Sequence, residues 1–234
     1  MHWISWDFLN RKKKKDGTFK MVHLYATDIR NLPDPKEDPV LLDKLSAERK
    51  CRIMKFLKAE DRKRSLGAGL LVNEILPRHG ASPAEIRVGE DGKPVVEGIF
   101  FNLSHSDNMV ICATAKKEVG CDVEKIVRAP KGVAERFFHP SEAEYVKAGI
   151  GEERDHRFFR IWTMKESYIK MTGEGMSLSF DRFEFLLDSE KTRVRRDGKI
   201  LSCHVMEYDI LGYKVSVCAK EEKFAKFIEF VDLG

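Results

Sequence analysis

Five charged side chains stand where an ordinary core pattern would not put them. In GCDVEK, residues 120 to 125, Asp122 and Glu124 lie two apart. On an extended chain their carboxylates share one face, while Cys121 and Val123 take the other. Like charges that close repel unless something positive lies between them. No His or Cys sits at metal-ligand spacing, so the oxygens favour a hard ion such as Mg2+, which leaves positions for water and phosphate. A solvated strand face paired with lysines accounts for the same two residues equally well.

The stretch IWTMKESYIKMTGEGMSL, residues 161 to 178, adds a third carboxylate. Turned at about 100° per residue, Phe158, Ile161, Trp162, Tyr168 and Ile169 form one apolar helical face. Lys165 falls in the middle of that face, Glu166 on its edge beside Trp162, and Lys170 one turn later. A carboxylate at such a border is partly desolvated and suits metal binding, general-base work, or both. As an i, i+4 surface pair with Lys170 it would contribute only about 0.3–0.5 kcal/mol. Lys165 either packs its stem and lifts its ammonium to solvent, or joins Lys170 in facing a phosphate-rich ligand.

Further cations could serve that ligand. Arg49, Arg52 and Arg64 lie in a basic helical stretch, Lys93 in the Gly92-Lys93-Pro94 turn, and Ser104 and His105 in NLSHS. Guanidinium forks, ammonium charges and hydroxyl donors all suit phosphate. Each also has an ordinary explanation as a solvated helix charge or a structural histidine. The common nucleotide loops G-x-x-x-x-G-K-[ST] and G-x-G-x-x-G are absent. Ser104 and His105 point apart on a strand, against a Ser–His nucleophile pair.

The elements that must position these groups read as α+β. A chain of 234 residues, 42% hydrophobic and 34% charged, forms one large domain or two modest ones. No run approaches the ~18 apolar residues of a membrane span. The five scattered cysteines form no C-x-x-C pair and read as reduced thiols of a cytoplasmic protein. Residues 1 to 20 read as a basic, flexible extension, with Lys12 to Lys15 either a solvated tail or a contact for an anionic partner. A net charge of +4 is too mild to indicate a nucleic-acid protein.

From Met21 the chain runs strand, Pro/Asp-rich loop, and one long amphipathic helical stretch from residue 41 to 80. Strand candidates GIFFNLSHS, NMVICATA and VGCDVEKI follow. Then come helical AERFFHPSEAEYVKAG, a polar GEERDH connection and the helix already described. Strands SFDRFEFLL, TRVRR, KILSCHVMEY and YKVSVCAKEE close the chain, with Asp197-Gly198 a hairpin signal. MVICATAKKE and KVSVCAKEE end two halves of similar element order. The expectation is two similar lobes in pseudo-twofold arrangement, 21 to 118 and 119 to 234, each a small antiparallel sheet packed by helices. The active site would lie in the groove between them.

FNLSHS, then VGCDVEK, then FF…WTMKESYIK…GEGMSL together resemble the 4′-phosphopantetheinyl transferases of the surfactin-synthetase-activating (Sfp) type. SAERKCRIMKFLKAEDRKRSL resembles the family's first basic helix, DGKP its turn before the SHS strand, and GYKVSVCA its last strand. The resemblance runs from Met21 to about Ala219. It implies two α+β lobes with coenzyme A and Mg2+ (or Mn2+ in its place) between them. It also implies transfer of the phosphopantetheine arm to a carrier-protein serine, releasing adenosine 3′,5′-bisphosphate. By motif position, Asp122, Glu124 and Glu166 hold the metal, Glu166 takes the serine proton, and Lys165 and Lys170 neutralise the pyrophosphate. Lys170 is also the acid for the leaving phosphate. Arg49, Arg52, Arg64 and Lys93 grip coenzyme A phosphates, with His105 and Ser104 beside them. Family members often carry lysine in place of Arg49 and Arg52, which keeps the charge and changes the contact geometry. The implied partner is an acidic acyl or peptidyl carrier protein met by residues 173 to 199, where Phe180, Phe183 and Phe185 are either contacts or core. The protein itself is expected to be a monomer.

Two other functions compete. A basic adaptor binding RNA or anionic surfaces through Lys12 to Lys15 and the Arg-rich helix leaves the three carboxylates unexplained, since they repel phosphate. Another coenzyme A or nucleotide phosphotransfer keeps the metal site and changes the acceptor.

Overall fold

The computed structural model describes residues 21–89, 92–187 and 191–233; Lys12 to Lys15 lie outside the described residues. The first half carries β1 (His23–Asp28), α1 (Ala47–Met54), α2 (Ala59–Arg78), β2 (Arg87–Val88), β3 (Pro94–Val95), β4 (Phe100–Ser106) and β5 (Met109–Ala115). The second carries β6 (Val119–Lys125), α3 (Val133–Phe137), α4 (Pro140–Lys147) and α5 (Glu152–Thr172). It continues through β7 (Phe183–Leu186), β8 (Arg193–Arg196), β9 (Lys199–Ile200), β10 (His204–Ile210), β11 (Tyr213–Ala219) and β12 (Glu229–Phe230).

Strand β5, MVICATA, is buried at every residue because both its faces are covered. It pairs antiparallel with β1 on one side and β4 on the other. Alternate residues serve two cores. Tyr25, Phe101, Val110 and Cys112 pack under α2 with Leu66, Leu71 and Ile75. Leu24, Ala26, Ile111 and Ala113 face the second sheet and meet Cys121, Val123, Val215 and Val217. Each large apolar side chain among them, such as Leu71 or Ile111, stabilises the fold by about 1.5–3 kcal/mol. The second sheet, ordered β10-β11-β6, is covered on its outer face by α5, whose Thr163 and Ser167 hydroxyls meet Ser216 and Cys218 of β11, while Phe158, Ile161 and Tyr168 pack on the helix's other side.

The order strand, long helix, hairpin occurs twice, as β1–α2–β4–β5 and as β6–α5–β10–β11. In each sheet the last strand of the hairpin sits in the middle, giving β1-β5-β4 and β6-β11-β10. The expected α+β class with small antiparallel sheets packed by helices is the observed one. Where the sheets meet, β4 and β6 run in the same sense. Side chains join them: Cys121 N donates to Asn102 Oδ1 at 2.9 Å, and Ser104 and Ser106 donate to Asp122 and Glu124.

Several boundaries differ from the sequence reading. The long helical stretch breaks at Lys55 to Lys58, where Arg62 satisfies the freed carbonyls of Phe56 and Leu57 and pairs with Asp34. AERFFHPSEAEYVKAG breaks before Pro140, which cannot extend α3 but starts α4 well, with a His139–Glu142 capping box. Most of GEERDH is the start of α5, its Glu152, Glu153 and Asp155 matching the positive helix end. Asp197 and Gly198 both adopt positive φ, 50° and 73°, and turn β8 into β9. The chain end leaves the half it was assigned to: β12 pairs with β1, and Val231 packs in the first core.

Candidate active site

A groove of about 950 Å3 opens beside the β4–β6 seam. At one end it is lined by Lys93, Glu124, Glu166 and Lys170; along its wall run Phe158, Phe159, Trp162, Ile169, Leu178 and Phe180. Glu124 comes from β6 because a strand alternates, and Gly120 and Asp122 share its face, turned toward α5. Gly120 brings the helix unusually close: a Cβ there would lie 2.1 Å from Ser167 O and 2.3 Å from Met171 N. That approach presses Glu166 and Lys170 against the strand's two acids.

The arrangement is short of positive charge. Lys170 Nζ lies 2.6 Å from Asp122 Oδ1 and 3.1 Å from Ser104 Oγ, while Ser104 donates to the same carboxylate oxygen at 2.8 Å. Burial pushes Asp122 up, and Lys170 and Ser104 only partly oppose it. Burial likewise raises Glu124, with Asp122 and Glu166 adding to the rise, and raises Glu166, with Asp122 adding. Burial would lower Lys170, yet the charge and hydrogen bond of Asp122, with Cys121 and Glu166, together outweigh it and the ammonium is held more tightly. All four groups shift toward keeping protons, as three carboxylates facing one ammonium must.

Among the described residues, no three His, Cys, Asp or Glu side chains already form a metal cage. The donor set nonetheless fits a hard divalent cation on two grounds. Asp122 is buried, and its Oδ2 has no hydrogen-bond partner, which is costly for a carboxylate oxygen unless something positive binds it. The donors are all oxygens, Glu124 and Glu166 lining the groove and Asp122 buried on the same face of β6 as Glu124, the chemistry such an ion prefers.

The expected phosphate contacts divide. Lys93 and Lys170 line the groove together, and Lys93 Nζ donates to the Lys170 carbonyl near the negative end of α5. His105, exposed on the opposite face of β4 from Ser104, has its pKa lowered by partial desolvation and by the nearby Arg64 and Lys170. Arg64 is engaged with Asp61 at 2.6 Å and the Asp107 carbonyl at 3.3 Å. Arg49 reaches back to the Ser65 carbonyl and Arg52 pairs with Glu48 on the helix surface, so neither lines the groove. Ser104 gives its hydroxyl to Asp122 rather than outward.

Lys165 requires a correction. It neither reaches solvent nor faces the carboxylates. Its side chain is fully buried, 2.7 Å from Glu142 Oε2, donating to the carbonyls of Phe180 and Phe183 at 2.7 and 2.9 Å. Its ammonium also lies 4.3 Å from the Phe183 ring centre. All three protons are therefore committed to the interior. The same contacts fix Phe183 and Phe185 as core and leave Phe180 between core and groove. The sequence reading missed Glu142, Ser106 and Gly120. Only Ser106 left a sequence signal, since Ser104 and Ser106 repeat the two-residue spacing of Asp122 and Glu124.

Residues 118–218 match the 4′-phosphopantetheinyl transferase superfamily, and residues 32–117 match the family described as 4′-phosphopantetheinyl transferase, N-terminal. The chain is 32% identical over 201 residues to a 4′-phosphopantetheinyl transferase of Bacillus subtilis, covering 82% of this chain and 90% of that one. It is 31% identical over 204 residues to the transferase gsp of Aneurinibacillus migulanus, covering 85% and 86%. Against the transferase HetI of Nostoc it is 32% identical over 168 residues, covering 67% and 70%.

Proposed function

The chain belongs to the 4′-phosphopantetheinyl transferase superfamily, and we propose that it moves the phosphopantetheine arm of coenzyme A onto a serine of an apo carrier protein, with Mg2+ bound and adenosine 3′,5′-bisphosphate released. The observation that carries this reading is the buried, unpartnered Asp122 Oδ2 beside Glu124, Glu166 and Lys170 at the end of an apolar groove.

Asp122, Glu124 and Glu166 would hold the ion, which when bound neutralises charge on the pyrophosphate. Glu166, raised above the ordinary carboxylate range, accepts the proton of the attacking serine hydroxyl. The serine oxygen bonds to the β-phosphorus as the bond from that phosphorus to the bridging oxygen breaks. Lys170 meets the charge that develops there and can return a proton to the departing bisphosphate. Lys93 adds a second cation on the same wall. The aromatic wall shields the reacting groups from water, which strengthens each of these charge interactions. Toward Arg64 and His105 the surface offers a guanidinium and an imidazole N–H to the remaining coenzyme A phosphates. Residues 173 to 187 and 191 to 199, with exposed Met176 at the groove, are the side from which a carrier approaches.

The test is incubation with coenzyme A, Mg2+ and a panel of apo carriers, read by mass spectrometry. One added phosphopantetheine per carrier is expected. Glu166→Gln should abolish the addition while melting like the wild type. A panel left wholly unmodified overturns the function, and near-normal turnover in Glu166→Gln removes that residue from the mechanism.

A further inference from the structure

Ser106 plays no part in the reaction described above, yet its hydroxyl is held as tightly as the groups that do. Ser104 and Ser106 are two apart on β4, as Asp122 and Glu124 are on β6, and the pairs meet at a constant offset of 18 residues. Ser104 Oγ donates to Asp122 Oδ1 at 2.8 Å, and Ser106 Oγ donates to Glu124 Oε2 at 2.7 Å. A second donor behind each serine fixes the direction. The backbone N–H of Lys125 donates to Ser106 Oγ at 3.1 Å, and Lys170 Nζ donates to Ser104 Oγ at 3.1 Å. A hydroxyl has one hydrogen, and with a lone pair taken from behind, that hydrogen is turned onto the carboxylate.

Each acid is thereby tied by one oxygen. The other oxygen of Asp122 is the buried atom with no partner, and Glu124 faces the groove. Two like charges on one strand face would otherwise swing apart by rotating about their side-chain bonds. The serine bonds oppose that rotation, and they come from a strand that bears none of the three carboxylates.

We propose that Ser106, with Ser104 beside it, is a positioning residue for the divalent cation: the hydroxyl pair on β4 clamps one oxygen of each β6 carboxylate and presents the other to the ion. The inference rests on the metal-assisted reading of this site. Strand β4 then sets the metal affinity of ligands borne by β6. Hydrogen-bond partners of metal ligands typically change metal affinity by about 10- to 100-fold when removed.

The experiment is a titration of the full-length protein with Mn2+, counting free ion by electron paramagnetic resonance. Ser106→Ala should weaken binding about 10- to 100-fold, and Ser106→Thr, which keeps the hydroxyl, should restore it. In a Glu124→Gln background, Ser106→Ala should change nothing further, because its only route to the ion is through Glu124. A stitch that merely joined β4 to β6 would lower the melting temperature without this dependence on Glu124. If Ser106→Ala does not stay folded, Ser106→Cys, with its weaker donor, takes its place and should still lose affinity. Unchanged affinity in the serine variant, an undiminished loss in the Glu124→Gln background, or no saturable Mn2+ binding to the wild type would each overturn the proposal. No carrier enters the titration, so a failure to modify any carrier counts against the function alone.

Discussion

Gly120→Ala should damage the site while adding only one methyl group. The added Cβ would sit 2.1 Å from Ser167 O, 2.3 Å from Met171 N and 2.8 Å from the Lys170 carbonyl carbon. All three are backbone atoms of α5, so no side chain can rotate away. Ordinary contact begins at 3.4 Å, and the helix must retreat from β6 by about 1.3 Å. Overpacking of this kind costs roughly 1–3 kcal/mol, or about 2–12 °C of melting temperature in a chain this long. The functional cost is larger. Glu166 and Lys170 flank the displaced turn, and Lys170 would lose its 2.6 Å contact with Asp122. A misplacement of about 1 Å in a catalytic constellation reduces rate by about 100-fold. Carrier modification timed by mass spectrometry at saturating coenzyme A and Mg2+, alongside a thermal melt, separates the two effects. A folded Gly120→Ala protein that modifies carrier within about twofold of wild type would refute the claim that this close approach sets the catalytic geometry.

Glu142→Gln should destabilise the protein by about 3–5 kcal/mol, because Lys165 is left buried without its charge partner. A denaturant titration checks this; Glu142→Leu combined with Lys165→Met should recover much of the loss, and a single variant as stable as wild type would contradict the account. Asp122, Glu124 and Glu166 have folded pKa values raised chiefly by burial, so the folded state binds more protons than the unfolded chain. Their contribution is fully present below the unfolded carboxylate values of about 4 and is lost as pH rises through the folded ones. In EDTA, melting temperature should therefore fall with rising pH more steeply for wild type than for Asp122→Asn, with Mg2+ reducing the difference; parallel slopes would count against it. His79, lowered to about 4 by burial first and then by His23, Lys116 and Arg78, has the opposite sign. Its contribution is present above the unfolded value and declines as pH falls toward 4, by roughly 1–2 kcal/mol after discounting for its part-exposed ring. His79→Gln should flatten that acid limb of the melting curve.

Periodicity alone located the strands that matter. GIFFNLSHS, NMVICATA and VGCDVEKI became β4, β5 and β6 because alternation and β-branched content are local properties. The same local reading put Lys165 on the apolar face of its helix, where it lies, and failed on what it touches. Its partner Glu142 is 23 positions earlier on another helix, and no pattern within either helix announces the pairing. The helix break at Lys55 was hidden for a similar reason: the group that satisfies its carbonyls, Arg62, is anchored by Asp34, far back in a loop. Glu166 could be singled out because a carboxylate at the border of an apolar stripe is anomalous within its own helix. Ser106 left only its two-residue spacing from Ser104, a signal that carries no meaning until the facing strand is known.

The seam between β4 and β6 explains why the acids can stand where they do. A carboxylate pair in the middle of either sheet would be covered by α2 or α5 and would need buried partners for every oxygen. On an open surface the same pair would be screened by water and would bind a cation weakly. At the seam, β4 faces Asp122 and Glu124 with hydroxyls, Asn102 receives the Cys121 N–H, and α5 adds Lys170 and Glu166 from the other side. Neither unit of the repeated topology contains this environment by itself. The hydroxyls belong to the first, the acids to the second, and the apolar core between Leu24, Ile111, Cys121 and Val217 holds them in register. Stability of that shared core and affinity for the cation are thus coupled by construction, since any slip between the sheets moves the serines away from the carboxylates they orient.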